Sequence, residues 1–510
     1  MPPNANLFCA LRQAFPDDLD ATAIETADGP ALRYRWRDLD RGTAMLANLL
    51  ESLALPAGAR IAVQTEKSVE ALMLYLAVLR AGFVYLPLNT AYQRGEIEYF
   101  IGNAEPSVVV CSSRNFGWVS RIAFTAGTAH VFTLDEDRSG SLLQRAATHG
   151  DRHTPARCAN DDLAAILYTS GTTGRSKGAM LSHGNLLSNA LTLKSYWGWK
   201  PGDVLIHALP IFHVHGLFVA SHGALLNGSK MIWFGRFDPK AVIARLPEAT
   251  VFMGVPTLYV RLLGEAALTR AASAHMRLFI SGSAPLLIET FDLFRERSGH
   301  TILERYGMSE TVMLTSNPYD DGERRGGTVG FALPGVGVRV MDDAGAACPP
   351  GAIGNIQVSG PNVFKGYWRM PEKTREEFTV DGWFRTGDVG RFDTRGYVTI
   401  VGRGKDLIIS GGFNVYPAEV EGTLNAMAGV AESAVIGVPH PDFGEAVVAV
   451  VVARAGHAPD TAAMIDDLKA KIANFKVPKR VFVVAELPRN AMGKVQKNLL
   501  REQHQGLFAN

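Results

Sequence analysis

The chain has 510 residues, 47% of them hydrophobic and 20% charged, with a formal net charge of +1. This is the composition of a globular protein whose core needs no covalent or metal staple, and the length calls for more than one domain. The near-zero charge calls for neither nucleic acid nor an anionic membrane as partner. The scattered Cys9, Cys111, Cys158 and Cys348 indicate neither a zinc site nor a disulfide framework, and fit a reduced cytoplasmic compartment.

The opening segment, MPPNANLFCALRQAF, lacks the basic stretch and apolar run of a signal peptide. No run of about 18 apolar residues predicts a membrane span. The most apolar stretch, Ala71 to Leu88, is broken by Arg80, Gly82 and Pro87, and reads as a buried helix running into a strand. From Ile61 to Tyr306 short apolar runs alternate with amphipathic ones. Strands are expected at Ala164–Tyr168, Val204–Leu209, Val251–Val255 and Leu278–Ile280. Helices are expected at Asn185–Tyr196, Pro239–Leu246 and Leu286–Glu296. Such alternation predicts parallel α/β layers. From Gly327 to Ile400 glycine, proline and turn pairs separate short Val/Ile runs, which predicts antiparallel strands in a small barrel or meander. Beyond Gly402-Arg403-Gly404-Lys405-Asp406 a compact α+β unit of about 100 residues is expected. It has helices at Pro417–Met427 and Thr461–Asn474, and strands at Ala434–Val438, Val447–Val452 and Val481–Val484.

The strongest local signal is YTSGTTGRSKG, Tyr168 to Gly178, after a buried strand and before a helical pattern. Gly171, Gly174 and Gly178 let the backbone approach an anion closely. Thr169, Ser170, Thr172 and Thr173 offer hydroxyls, and Lys177 offers charge. Successive N–H groups in such a turn form an anion-binding concavity. The pattern differs from the P-loop GxxxxGK[ST], since Ser stands at position 176. Against it stands the plain reading of a surface turn.

This segment resembles the phosphate loop of the adenylate-forming superfamily, which includes acyl-CoA synthetases, firefly luciferase-type enzymes and peptide-synthetase adenylation domains. ALPIFHVHG, ERYGMSE, RTGD, GRGKD, SGGFNVYPAEVE and PRNAMGKVQK follow in the same order as in that superfamily. HVHG, LFISGSAPL and PRNAMGKVQK most resemble the malonyl-CoA synthetases. The resemblance implies an α/β fold with a large N-terminal domain, residues 1–403, built of α/β subdomains plus a small β-barrel-like subdomain. A small mobile α+β C-terminal domain, 404–510, is implied to follow. It also implies ATP-dependent ligation of a carboxylic acid to coenzyme A through an acyl-adenylate, with release of AMP and pyrophosphate.

Such chemistry brings two anions together, so neutralising charge and positioning the reactants dominate catalysis. By resemblance, Thr169, Ser170, Gly171, Thr172, Thr173, Gly174 and Lys177 hold the ATP phosphates, and Thr172 and Glu310 lie near Mg²⁺. Glu304, Arg305, Tyr306, Gly307, Met308 and Ser309 border the nucleotide. Tyr306 lies near adenine, and the turn of Gly282, Ser283, Ala284 and Pro285 lines that pocket. Asp388 takes the ribose hydroxyls with Arg403 assisting. Lys494 is the implied catalytic lysine and Lys405 the hinge. Gly411 and Gly412 enter the site for thioester formation with coenzyme A.

For the acid, His213 is implied at the acyl pocket. A zinc pair of His213 and His215 is weak without cysteine nearby. A dicarboxylate such as malonate needs a second cation or a donor cluster. Arg261 in PTLYVRLL and Ser283 are expected to hold its far carboxylate, with Arg277 as second candidate. Val214 and Met308 are expected to frame the α-carbon and set tolerance of methylmalonate. Each has a plainer reading: Arg261 as a structural ion pair, Tyr306, Val214 and Met308 as packing, Lys405 as a linker residue. Rival functions are the same chemistry on acetate, a fatty acid or an aromatic acid, and a catalytically silent nucleotide-binding protein.

Overall fold

A computed structural model describes residues 4–508 except 30, 170–175, 321, 411–412 and 491–492, and the side chain of residue 414. Two compact units make up the chain. The first comprises Met1–Gly337 with Ser359–Gly382; the second comprises Val338–Val358 with Trp383–Asn510. The fold is the mixed α/β architecture expected, a larger unit of α/β layers and a smaller one.

Two sheets organise the first unit. One has six strands in the order His130–Thr133, Val108–Cys111, Arg60–Gln64, Val84–Pro87, Leu163–Thr169 and Lys177–Ser182. Its first five strands pair in parallel and the last is antiparallel. Val84–Pro87 and Val108–Cys111 are buried throughout, as strands covered on both faces must be. The helix Val69–Arg80 is also buried along its whole length, with Ser68 accepting a hydrogen bond from the Ala71 N–H at its start. This explains why Ala71 to Leu88 shows no polar face.

The second sheet runs Phe331–Ala332, Val312–Ser316, Leu303–Met308, Leu278–Ser281, Val251–Gly254, Val204–His207, Lys230–Trp233, Thr22–Thr26 and Arg33–Arg35. Its six central strands are parallel and both edges are closed by antiparallel pairs. In parallel α/β sheets ligands settle outside the carboxyl ends of the strands. His207, Gly254 and Ser281 end three of these strands.

In the second unit, Gly337–Met341, Gly354–Ser359, Phe384–Phe392 and Val398–Arg403 lie in sequence order in one sheet, the meander expected from its turns. A further sheet has the order Phe413–Val415, Ile408–Ser410, Gly444–Ala453 and Val430–His440, and Arg480–Val484 pairs in parallel with Gly444–Ala453. The two-residue side-chain period divides its core. Val447, Ala449 and Val451 pack with Val420, Leu424 and Leu468; Val448 and Val450 pack with Leu487 and Leu500. Among the described residues no helix is long and apolar enough to cross a membrane.

Arg277, the second candidate for the acid, is committed elsewhere. Its Nε donates to Asp203 Oδ1 at 2.7 Å, and Nη2 makes a second bond to the same carboxylate. Asp203 is buried and also accepts from the Thr250 hydroxyl at 2.8 Å. Removing one partner of such a pair strands a buried charge. Asp203→Ala is therefore expected to destabilise the first unit by about 3 kcal/mol, read as a fall in Tm or in denaturant midpoint.

Candidate active site

The phosphate loop spans a hairpin. Leu163–Thr169 pairs antiparallel with Lys177–Ser182, with Thr169 opposite Lys177 and Tyr168 opposite Gly178. The helix expected at Asn185–Tyr196 is present, and between it and the loop lies a strand that the sequence reading did not assign. The helix His183–Tyr196 begins only where Ser182 accepts from the Asn185 N–H at 3.1 Å. The helix terminus is therefore separated from the loop by the strand Lys177–Ser182. Ser170, Gly171, Thr172, Thr173 and Gly174 lie outside the described residues. Of the flanking positions, the Thr169 hydroxyl faces the Lys177 carbonyl at 3.4 Å. Lys177 Nζ pairs with Glu377 at 3.4 Å and sits 4.3 Å from the centre of the Tyr367 ring. The same tyrosine donates its hydroxyl proton to Glu310 Oε1 at 3.0 Å. Lys177 and Glu310, far apart in sequence, therefore share one aromatic neighbour.

Glu304 to Glu310 form the other wall. Leu303–Met308 turns back into Val312–Ser316, with Met308 opposite Val312. A Cβ on Gly307 would stand 1.9 Å from the Val312 carbonyl oxygen, so glycine is required there. Adjacent strand residues point to opposite faces, and Glu304 and Arg305 do so with contrasting charge. Glu304 is buried; its Oε1 accepts from the Leu286 N–H at 3.2 Å, just after the Gly282–Pro285 turn, while Oε2 has no partner among the described residues. Burial pushes its carboxyl up to about 8. Arg305 is 2% exposed, and its Nε and Nη2 have no partner among the described residues. Burial pushes its guanidinium down to about 9. That guanidinium lies against Gly282, where a Cβ would come within 2.6 Å of it. The next residue, Ser283, has φ +74°, a strained conformation for a side chain of this kind.

Ser283 Oγ lies 3.3 Å from His215 Nδ1. The Pro-bearing loop expected around HVHG becomes helix at its second histidine: His215–Ala220 has π geometry and continues into the α-helix Ser221–Leu226. Such segments recur at functional sites. His213 is half-buried and its Nδ1 accepts from the His215 N–H at 3.3 Å; Val214 is buried. Arg261 projects from the last turn of the helix Pro256–Leu263 and is exposed. Among the described residues no group of three His, Cys, Asp or Glu side chains could hold a metal, so the His213/His215 pair stays a pair.

In the second unit, Asp388 and Arg403 face each other on neighbouring strands, with Arg403 Nε on Asp388 Oδ1 at 2.9 Å. Arg403 Nη1 also donates to the Thr386 carbonyl. Lys405 sits in the short 3-10 turn Gly404–Asp406, and burial pushes its ammonium below the ordinary lysine range. Asp406 pairs with Arg501 at 2.6 Å. Lys494 is exposed at the end of a turn closed by Asn490, whose Oδ1 accepts the Lys494 N–H at 3.0 Å. Gly411 and Gly412 lie outside the described residues.

A sheet-based α/β unit carrying this hairpin loop, followed by a smaller α+β unit, is the plan of the AMP-binding enzymes, and the chain belongs to that family. Residues 12–368 match the AMP-binding enzyme family and 419–494 its C-terminal domain. The chain is 34% identical over 477 residues to a malonate–CoA ligase of Arabidopsis thaliana, covering 87% of this chain and 78% of the relative. It is likewise 34% identical over 491 residues to a feruloyl-CoA synthase of an Amycolatopsis species, covering 95% and 96%. Among solved structures, ATP-bound MatB from Rhodopseudomonas palustris is 56% identical, with a TM-score of 0.96 over 99% of this chain and 100% of that one.

Two residues stand out that the motifs did not single out for the acid. Arg305 was read with the nucleotide, and His215 only as half of a metal pair; their burial appears only once the sheet is folded. The carboxyl of Glu304 gives a test. A raised carboxyl favours the folded state at low pH, and that contribution is lost as pH rises through about 8. Between about pH 6 and 9 the Tm difference between Glu304→Gln and wild type should shift in favour of the variant; a flat difference would remove the assignment.

Proposed function

We propose that the chain ligates malonate to coenzyme A through a malonyl-adenylate, consuming ATP and releasing AMP and pyrophosphate. Membership of the AMP-binding family and the likeness to malonate–CoA ligases support the reaction class. The observation that carries the acid is Arg305: a buried guanidinium with two unpartnered N–H groups, packed against Gly282 beside Ser283. A buried cation of this kind is stabilised by a carboxylate, which a planar guanidinium binds in bidentate fashion. Arg261, solvent-facing, and Ser283 complete the grip on the far carboxylate. His213 and Val214 line the acyl side, and Val214 with Met308 limits substitution at the α-carbon.

The phosphate hairpin with Thr169 and Lys177 takes the ATP phosphates. Tyr306 and the Gly282–Pro285 turn border adenine, and Asp388 with Arg403 takes the ribose. Magnesium fits Glu310: one buried carboxylate oriented by Tyr367, without a cluster of protein ligands, suits an ion that keeps phosphate and water oxygens. When bound it supplies charge neutralisation of the phosphates. Lys494 brings a compact positive charge to the carboxylate and α-phosphate as they react. Rotation about Lys405 withdraws it and admits Gly411, Gly412 and the thiol for the second step. The four free cysteines accord with a cytoplasmic setting.

ATP–pyrophosphate exchange across malonate, methylmalonate, succinate, acetate and octanoate tests the acid. Malonate should lead, and dominance of acetate or octanoate would sink the reading; absence of AMP would point to a silent nucleotide-binding protein. Arg305→Met should lower kcat/KM for malonate relative to acetate by roughly ten- to a hundredfold, the worth of charge-assisted hydrogen bonds. Lys494→Ala should abolish exchange while sparing thioester formation from preformed adenylate, and Lys405→Pro should do the reverse.

A further inference from the structure

We propose that His215 is a positioning residue that sets the enzyme's choice of acid by fixing which way the Ser283 hydroxyl points. This rests on the assignment of Ser283 to the far carboxylate. An ionised carboxylate only accepts hydrogen bonds, and a serine hydroxyl has one proton to give. If Ser283 donates to His215 Nδ1, its proton is spent and oxygen lone pairs confront the substrate anion. If His215 carries its proton on Nδ1 and donates to Ser283 Oγ, the hydroxyl proton is free for the carboxylate.

The surroundings favour this second arrangement. His215 is fully buried, and among the described residues its 3.3 Å approach to Ser283 Oγ is the one hydrogen bond of its ring. Burial, followed by the charge of Arg305 and then by His213 and His207, keeps the imidazole neutral, with a single proton to place. Nδ1 has a partner able to accept a proton, whereas Nε2 has none among the described residues. A proton on Nε2 would be a buried donor without an acceptor, the costlier choice. The imidazole is itself held from both sides. Its backbone N–H is bonded to His213 Nδ1, and it opens the π segment, whose Gly216 would press a Cβ to 2.1 Å from the Pro210 carbonyl oxygen. The buried His207 Nε2 lies 3.0 Å from the Gly216 carbonyl oxygen and 3.1 Å from the Ser221 hydroxyl. Ser283 cannot swing away cheaply, since its left-handed backbone is fixed between the Gly282–Arg305 contact and the Leu286–Glu304 bond.

The test compares His215→Phe, which removes the donor, with His215→Asn, which keeps an N–H near the Nδ1 position. His215→Phe should reduce the malonate-to-acetate ratio of kcat/KM by about tenfold, through KM for malonate. His215→Asn should retain most of the ratio. In a double-mutant cycle with Ser283→Ala the effects on that ratio should be non-additive, Ser283→Ala alone costing as much as the pair. Equal losses on both acids, or additive effects, would overturn the proposal by making His215 structural. An unchanged ratio in Ser283→Ala alone would instead overturn the carboxylate assignment. Should His215→Phe fail to fold, ¹⁵N imidazole spectra of the wild-type protein, assigned through His215→Asn, decide the matter: protonated Nδ1 supports the proposal, protonated Nε2 refutes it.

Discussion

A guanidinium kept from water with part of its hydrogen-bonding capacity unused is costly, and the first unit is built around one. Arg305 lies at the carboxyl end of a parallel sheet with Nε and Nη2 unpartnered. An anion bound there would restore the interactions lost with water, which is the physical basis of the proposed carboxylate site. Much nearby backbone follows from making room for it. Gly282 lacks a side chain because the guanidinium fills that space. Ser283 accepts a left-handed conformation, and Glu304 turns its own buried carboxyl to the other face of the strand.

Legibility in the sequence followed period and motif. The buried helix Val69–Arg80, the parallel strands and the meander of Gly327–Ile400 show themselves through apolar runs and turn pairs, because burial on two faces or one imprints directly on composition. What could not be read depends on partners distant in the chain. Lys177–Ser182 has the alternation of a strand, but its pairing with Leu163–Thr169 had to be seen to separate the phosphate loop from the helix behind it. Arg277 looked available until Asp203, from another strand region, claimed it. Arg305 and His215 sit inside matched motifs, yet nothing local records that one lacks partners and the other faces Ser283. Motifs named the neighbourhood; packing assigned the roles.

Charge is treated differently in the second unit. There the functional candidates are tied into ion pairs: Arg403 on the buried Asp388, Arg501 on Asp406, and Arg489 on both Glu432 and the Gly493 carbonyl beside Lys494. Partly exposed pairs such as Arg489 with Glu432 contribute little to stability, but several along one segment restrict its geometry. The first unit keeps buried charged groups without partners among the described residues, whereas the second pairs its charges on a framework of strands.

The π segment His215–Ala220 carries a consequence for how this pocket can change. A π turn holds one residue more than the α turn it replaces. Deleting a single residue there would restore ordinary winding and leave the segments on either side in nearly the same rotational relation, because the wide turn is what absorbs the extra residue. The change would fall on the backbone around His215, which opens the segment and faces Ser283. One codon of length therefore reshapes this wall while sparing the helix behind it.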